Sequence, residues 1–126
     1  HFFGIQPVDR VVLHKVIADR FDKMLREGLI AEVELLYQRG DLTDKMPAIK
    51  SVGYRQVWQY LSGQSDYSVM IEKSVIATRQ LAKRQSTWMK SWDRLNTLTD
   101  CGVKARDHVL NYVEVASMLQ NLDTPN

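Results

Sequence analysis

Residues 77–92 read ATRQLAKRQSTWMKSW. Together with the residues just before it, the stretch has a helical rhythm. Ile71, Val75, Thr78, Ala82, Gln85 and Met89 fall in one stripe at about 100° per residue, and Leu81, Trp88 and Trp92 widen that stripe on one side. Arg79, Lys83, Ser86 and Lys90 form a separate ridge roughly 80–100° around the barrel. Arg84 flanks the aromatic edge from the far side, and no carboxylate lies between Lys73 and Lys90. A helix from about Ser68 to Ser91 follows, near 36 Å long at roughly 1.5 Å per residue. Its basic side is either an ordinary solvated face or a ridge of cations beside stackable rings, an arrangement suited to single-stranded or looped RNA. Trp88 is open in the same way, as stacking partner or core anchor. Its place on the apolar side favours the core.

Working outward, the remaining pattern is also mostly helical. Asp9 can cap a helix running to about Arg26, with Leu13, Ile17, Phe21 and Met24 at helical spacing and Gly28 placed to end it. A second helix, about 29–39, carries Leu29, Val33 and Leu36 on one face and closes at Gly40. Residues 41–50 read as a loop containing Pro47. Ser51 can cap a short third helix whose apolar side is Tyr54, Val57, Trp58 and Leu61. Its Tyr and Trp residues fit a core better than a binding platform. Ser65 or Asp66 can cap the long fourth helix after the turn cluster Ser62–Asp66. Leu95–Thr99 reads as a short strand, and about Lys104–Leu119 as a last helix with Val109, Val113 and Ala116 on one side. Residues 121–126 should be a loose tail. The expectation is about five helices and two short strands in one portion without an internal boundary.

Composition bounds the function classes. The chain has 126 residues, of which 44% are apolar and 25% charged, as in ordinary globular proteins. The net charge of +2 is too small to imply a polyanion partner. The distribution says more: residues 73–94 hold six cations against one anion, Asp93. Cys101 is the only cysteine, so an internal disulfide is excluded and a reducing cytoplasm is expected. No apolar run approaches the roughly 18 residues of a membrane span. The opening His1-Phe2-Phe3-Gly4-Ile5 lacks a methionine and reads as a buried strand met at its first residue. The expectation is therefore a fragment, with the sheet neighbours of this strand supplied by sequence outside it.

Two further places ask for chemistry. Leu13, Ile17, Arg20 and Met24 put an arginine in the middle of an apolar stripe. A guanidinium there must be paired, must snorkel, or must face a cleft and grip an anion such as a phosphate. The run Lys50-Ser51-Val52-Gly53-Tyr54-Arg55 is a loop-to-helix junction with a glycine, free N–H groups and flanking cations, which alone is a weak phosphate signal. His1, His14 and His108 have no ligand spacing and read as surface or packing residues. No Gly-rich phosphate loop, zinc-type spacing or Ser/His/Asp arrangement is present, and no residue can be assigned as a general base.

Taken together, IADRFDKMLREGLIAEVELL, IKSVGYRQVWQYLSG and ATRQLAKRQSTWMK resemble the C-terminal part of bacterial tRNA dimethylallyltransferase, or tRNA isopentenyltransferase. The resemblance runs nearly continuously from Phe3 to about Trp92. It implies transfer of a dimethylallyl group from dimethylallyl diphosphate to N6 of the adenosine 3′ of the anticodon, position 37. It further implies Mg²⁺ held by the N-terminal part of the parent, and a parent α/β P-loop-like fold of which this is the mostly helical share. By the resemblance, Arg20 is the catalytic arginine at the diphosphate. Lys50, Ser51, Val52, Gly53, Tyr54 and Arg55 match one segment contacting the tRNA anticodon stem-loop. Lys83, Arg84, Gln85, Ser86, Thr87, Trp88, Met89 and Lys90 match another. The family usually has arginine where Lys90 stands, so the charge is kept and the planar fork lost. The P-loop, the aspartate that takes the N6 proton and most of the helical insertion have no match here.

The resemblance implies no membrane association, a monomeric parent and an isolated chain that is inactive. Competing readings are a stand-alone non-catalytic RNA-binding helical module, a prenyltransferase acting on free adenine nucleotides, and a purely structural helical domain. With Phe2, Phe3 and Ile5 lacking a complete sheet, the isolated chain should self-associate. Sedimentation velocity should then show a weight-average mass that rises with concentration; a constant monomer would count against it.

Overall fold

The computed structural model describes residues 2–6, 9–99 and 102–122. Expectations resting on His1, Cys101 and residues 123–126 lie outside the described residues. Two strands and five helices follow in the order β1 (Phe2–Ile5), α1 (Arg10–Arg26), α2 (Leu29–Gln38), α3 (Tyr54–Leu61), α4 (Tyr67–Met89), β2 (Leu95–Leu98) and α5 (Val103–Leu122). The mostly helical reading and the number of elements agree with the sequence. Contacts group these into two compact units, Arg10–Gln85 on one hand and the described residues of His1–Asp9 and Ser86–Asn126 on the other. The division falls inside α4, so no linker composition marks it.

In the larger unit, α1 buries Ile17 and Phe21 and leaves its other faces wet. Lys15–Asp19 (2.6 Å) and Asp22–Arg26 (2.5 Å) pair across one turn of that exposed surface. Each such pair contributes only a few tenths of a kcal/mol, so burial decides the helix's position. Gly28 ends α1 with φ 100° and at once serves as the residue before α2, its carbonyl accepting from the Glu32 N–H at 3.0 Å. A side chain at that φ would be strained. This two-residue connection lets Leu29 and Val33 join Phe21, Ile49, Val57, Trp58 and Met70 in one buried cluster. Trp58 is therefore core, as expected, with Tyr37 edge-on to it at 4.8 Å.

Three local expectations need correction. Ser51 does not cap α3: its hydroxyl donates to the Ala48 carbonyl at 2.7 Å, which closes the preceding turn instead. Gly53 occupies the cap position, and its N–H donates to the Gln56 side-chain carbonyl at 2.8 Å. The buried line of α4 runs through Met70 and Ser74, both without measurable exposure, while Gln85, assigned to the apolar stripe, is exposed. Ser74 survives burial because its hydroxyl returns to the Met70 carbonyl at 2.8 Å. In α5 the covered positions are Ala105, Val109, Tyr112 and Ala116, whereas Val113 is 49% exposed. Val109 and Ala116 are covered as expected; valine's hydropathy drew Val113 into the stripe where Tyr112 stands.

The smaller unit holds the sheet. β1 and β2 pair in parallel, Phe2 opposite Leu95 through Ile5 opposite Leu98, and the Gln6 N–H extends the ladder to the Leu98 carbonyl at 2.8 Å. The first strand's partner thus lies within this chain. Gly4 is the close-approach point: a Cβ there would stand 2.9 Å from Leu95 Cδ2 and 3.2 Å from Met89 Sδ. Phe3 packs edge-on against Tyr112 at 5.3 Å. The strand is not buried as expected, because Phe2 and Ile5 remain 55% and 52% exposed. A parallel pair normally has both faces covered, and a pair of strands alone leaves apolar side chains in water.

Removing the most central large side chain should destabilise the larger unit strongly. Met70→Ala is expected to cost about 2–5 kcal/mol in urea unfolding, against under about 0.5 kcal/mol for Lys45→Ala on the exposed loop.

Candidate functional site

The helices of the larger unit bring Arg20, the Val52-Gly53 turn and the Thr78-Leu81 part of α4 to one place. A cavity of about 300 Å³ is lined by Leu13, Val16, Ile17, Arg20, Phe21 and Met24 of α1, by Val52 and Gly53, and by Thr78 and Leu81 of α4. Arg20 is its only charged lining residue. It is exposed and makes no ion pair or hydrogen bond among the described residues. The internal salt bridge that could have explained an arginine in an apolar stripe is therefore not what holds it. Its guanidinium is exposed at the edge of an apolar hollow, a position shared by a snorkelling stem and by a fork that grips an anion.

Val52 and Gly53 reach the cavity wall because of backbone geometry. Gly53 is buried and sits at φ 96°, a conformation that L residues other than glycine adopt only at a cost of about 1–3 kcal/mol. The Gln56 amide, itself buried, fixes that turn through its bond to the Gly53 N–H. One residue on, the Tyr54 hydroxyl donates to the Glu32 carboxylate of α2. This bond holds the tyrosine's proton above the usual range, with burial and the charge of Glu32 adding to it. Lys50, Ser51 and Arg55 stay exposed around this anchored core. Glu32 and Gln56 drew no attention in the sequence; a glutamine three residues after a cap-position glycine is the signal that could have found the latter.

On α4, Arg84 and Gln85 are exposed, and Lys83 is exposed but engaged in an interaction. The second half of the same motif belongs to the smaller unit. There Ser86 and Met89 are half-buried, Met89 against the strands near Gly4, while Thr87 and Lys90 are exposed. Trp88 is 62% exposed and meets Trp92 edge-on at 5.0 Å; Trp92 in turn meets Phe2 at 4.9 Å. The preference for Trp88 as a core anchor is thus overturned. At the end of a helix whose burial fades after Ala82, its ring has little to pack against except another ring.

Comparison with known proteins places the chain in a family. The family described as IPP transferase matches residues 1–92. The chain belongs to that family. Two solved structures are similar over almost the whole chain. The full-length tRNA isopentenylpyrophosphate transferase from Bacillus halodurans is 28% identical with a TM-score of 0.80, covering 95% of this chain and 41% of its own. The tRNA delta(2)-isopentenylpyrophosphate transferase from Staphylococcus epidermidis is 26% identical with a TM-score of 0.81, covering 91% and 38% respectively. The chain thus spans about two fifths of the length of these IPP transferases. Among its described residues no three His, Cys, Asp or Glu side chains come together as metal ligands, and no helix is long and apolar enough to cross a membrane.

The Tyr54–Glu32 bond gives a pH-dependent expectation. The folded-state pKa of Tyr54 is raised, so the native state holds this proton after the unfolded chain has begun to lose it near pH 10. The contribution is complete below about pH 10 and is lost as pH rises through the folded value. Tyr54→Phe should lower stability by about 1 kcal/mol at pH 7. In urea melts from pH 8 to 11, the gap between wild type and variant should shrink at the alkaline end.

Proposed function

We propose that this chain supplies the tRNA-facing and diphosphate-facing part of a tRNA prenyltransferase. The observation that carries the reading is the cavity in which an unpaired Arg20, the Val52-Gly53 turn and the Thr78-Leu81 face of α4 converge. Its apolar walls suit a short branched hydrocarbon, and Arg20 suits the diphosphate attached to it. In the reaction, N6 of the adenosine 3′ of the anticodon attacks the first carbon of the dimethylallyl group as the carbon–oxygen bond to diphosphate breaks. Negative charge grows on the departing oxygen, where a fixed guanidinium stabilises the transition state more than the ground state. The exposed cations Lys50, Arg55, Arg84 and Lys90 serve the RNA backbone. Trp88 offers a ring for stacking on an unpaired base. The base that removes the N6 proton and the groups that hold Mg²⁺ belong to sequence outside these residues, and no step here is routed through the metal.

Arg20 and the exposed cations then act on different parameters. In the complete transferase, Arg20→Gln should lower single-turnover prenyl transfer by about 10²-fold with tRNA affinity nearly unchanged. Arg84→Ala combined with Lys90→Ala should weaken tRNA binding and flatten its salt dependence while leaving the saturated rate within about twofold. An unchanged transfer rate in Arg20→Gln, measured with radiolabelled dimethylallyl diphosphate and an anticodon stem-loop, would remove Arg20 from the chemistry.

A further inference from the structure

Among the described residues, Gln56 and Ser74 are the two buried polar residues. Ser74 bonds within its own helix, to the Met70 carbonyl at 2.8 Å. Gln56 instead reaches back three residues, its side-chain carbonyl accepting from the Gly53 N–H at 2.8 Å. Burying a glutamine costs rotamer freedom and desolvation that an apolar side chain of its size would not. Starting α3 is weak ground for that cost, because backbone bonds already close its first turn. The Arg55 N–H donates to the Ser51 carbonyl at 3.1 Å and the Val57 N–H to the Gly53 carbonyl at 3.0 Å.

What the glutamine fixes is the backbone of Gly53, at φ 96° and ψ −63°. Space does not demand a glycine there, since a Cβ would meet nothing within 4 Å. The conformation demands it. Gly53 is buried, and its N–H has the Gln56 carbonyl as acceptor. With that acceptor removed, the buried donor has to reach water. Gly53 already lines a cavity whose rim residues Val16, Arg20 and Leu81 are exposed. A turn drawn toward that opening no longer holds Val52 and Gly53 as a wall beside Ile17 and Phe21.

We infer that Gln56 is a positioning residue for prenyl transfer. Through the Gly53 N–H it fixes the Val52-Gly53 wall, and that wall orients the prenyl diphosphate toward Arg20. Gln56 touches no substrate and lies outside both segments assigned to tRNA above. Its role presupposes the prenyl-transfer reading of the cavity. Misplacing reacting atoms by about 1 Å can cost about 10²-fold in rate, whereas a loosened helix start costs stability alone.

The test uses the complete transferase with saturating dimethylallyl diphosphate and anticodon stem-loop. Gln56→Met keeps the bulk of the side chain and removes the acceptor, and should lower the saturated single-turnover rate about tenfold. Gln56→Glu keeps an acceptor three residues after the cap, where a carboxylate also suits the helix N-terminus. It should recover the rate to within about threefold of wild type. Val33→Ala weakens the core without touching the turn. Its urea midpoint should fall at least as far as that of Gln56→Met, with the saturated rate within about twofold of wild type. Should Gln56→Met not fold, Gly53→Ala carries the same test from the backbone side, with an open space for its methyl and the same expected loss of rate. A wild-type rate in folded Gln56→Met or Gly53→Ala, beside a slow Arg20→Gln, would overturn the positioning role alone. A wild-type rate in Arg20→Gln as well would overturn the prenyl-transfer reading and the role with it. An equal loss of rate in Val33→Ala would reduce Gln56 to a structural residue.

Discussion

The larger unit depends on one turn, the glycine at position 53 held in a positive-φ conformation by the side chain of Gln56. That turn starts α3, and α3 delivers Val57 and Trp58 to the cluster built around Val33 and Met70. The same turn places Val52 and Gly53 against the face of α1 that carries Arg20. Core formation and site formation therefore share a backbone constraint. A substitution that disturbs it would be felt as lost stability and as a displaced wall of the cavity together.

Much of this was legible because helices announce themselves through spacing. The bounds of α1, α2 and α4 follow from Leu13, Ile17, Phe21, from Leu29 and Val33, and from the run leading to Met89. Parallel pairing was not legible, since the register between Phe2 and Leu95 joins residues more than ninety positions apart. Cap chemistry at Ser51 misled for a related reason: a serine hydroxyl can satisfy the turn behind it as well as the helix ahead, and residue type does not choose between them. The exposure of Trp88 was hidden because helical periodicity says which side chains share a face, not where along the helix its covering ends.

For the site, the oddity of Arg20 was visible as a charge in an apolar stripe. What composition could not supply was the missing partner, which only the arrangement of neighbouring helices reveals. Arg79 shows the converse. On the sequence it was one cation in a basic ridge, and its separate character lies in a buried, unbonded Nε.

Trp58 and Trp88 sit in distinct surroundings. Trp58 is enclosed in the core of the larger unit, whereas Trp88 is open beside the cations at the end of α4. The chain therefore carries its own fluorescence probes, separable by quencher charge. Iodide is drawn toward the positive neighbourhood of Trp88, caesium is repelled from it, and neither reaches Trp58 in the folded protein.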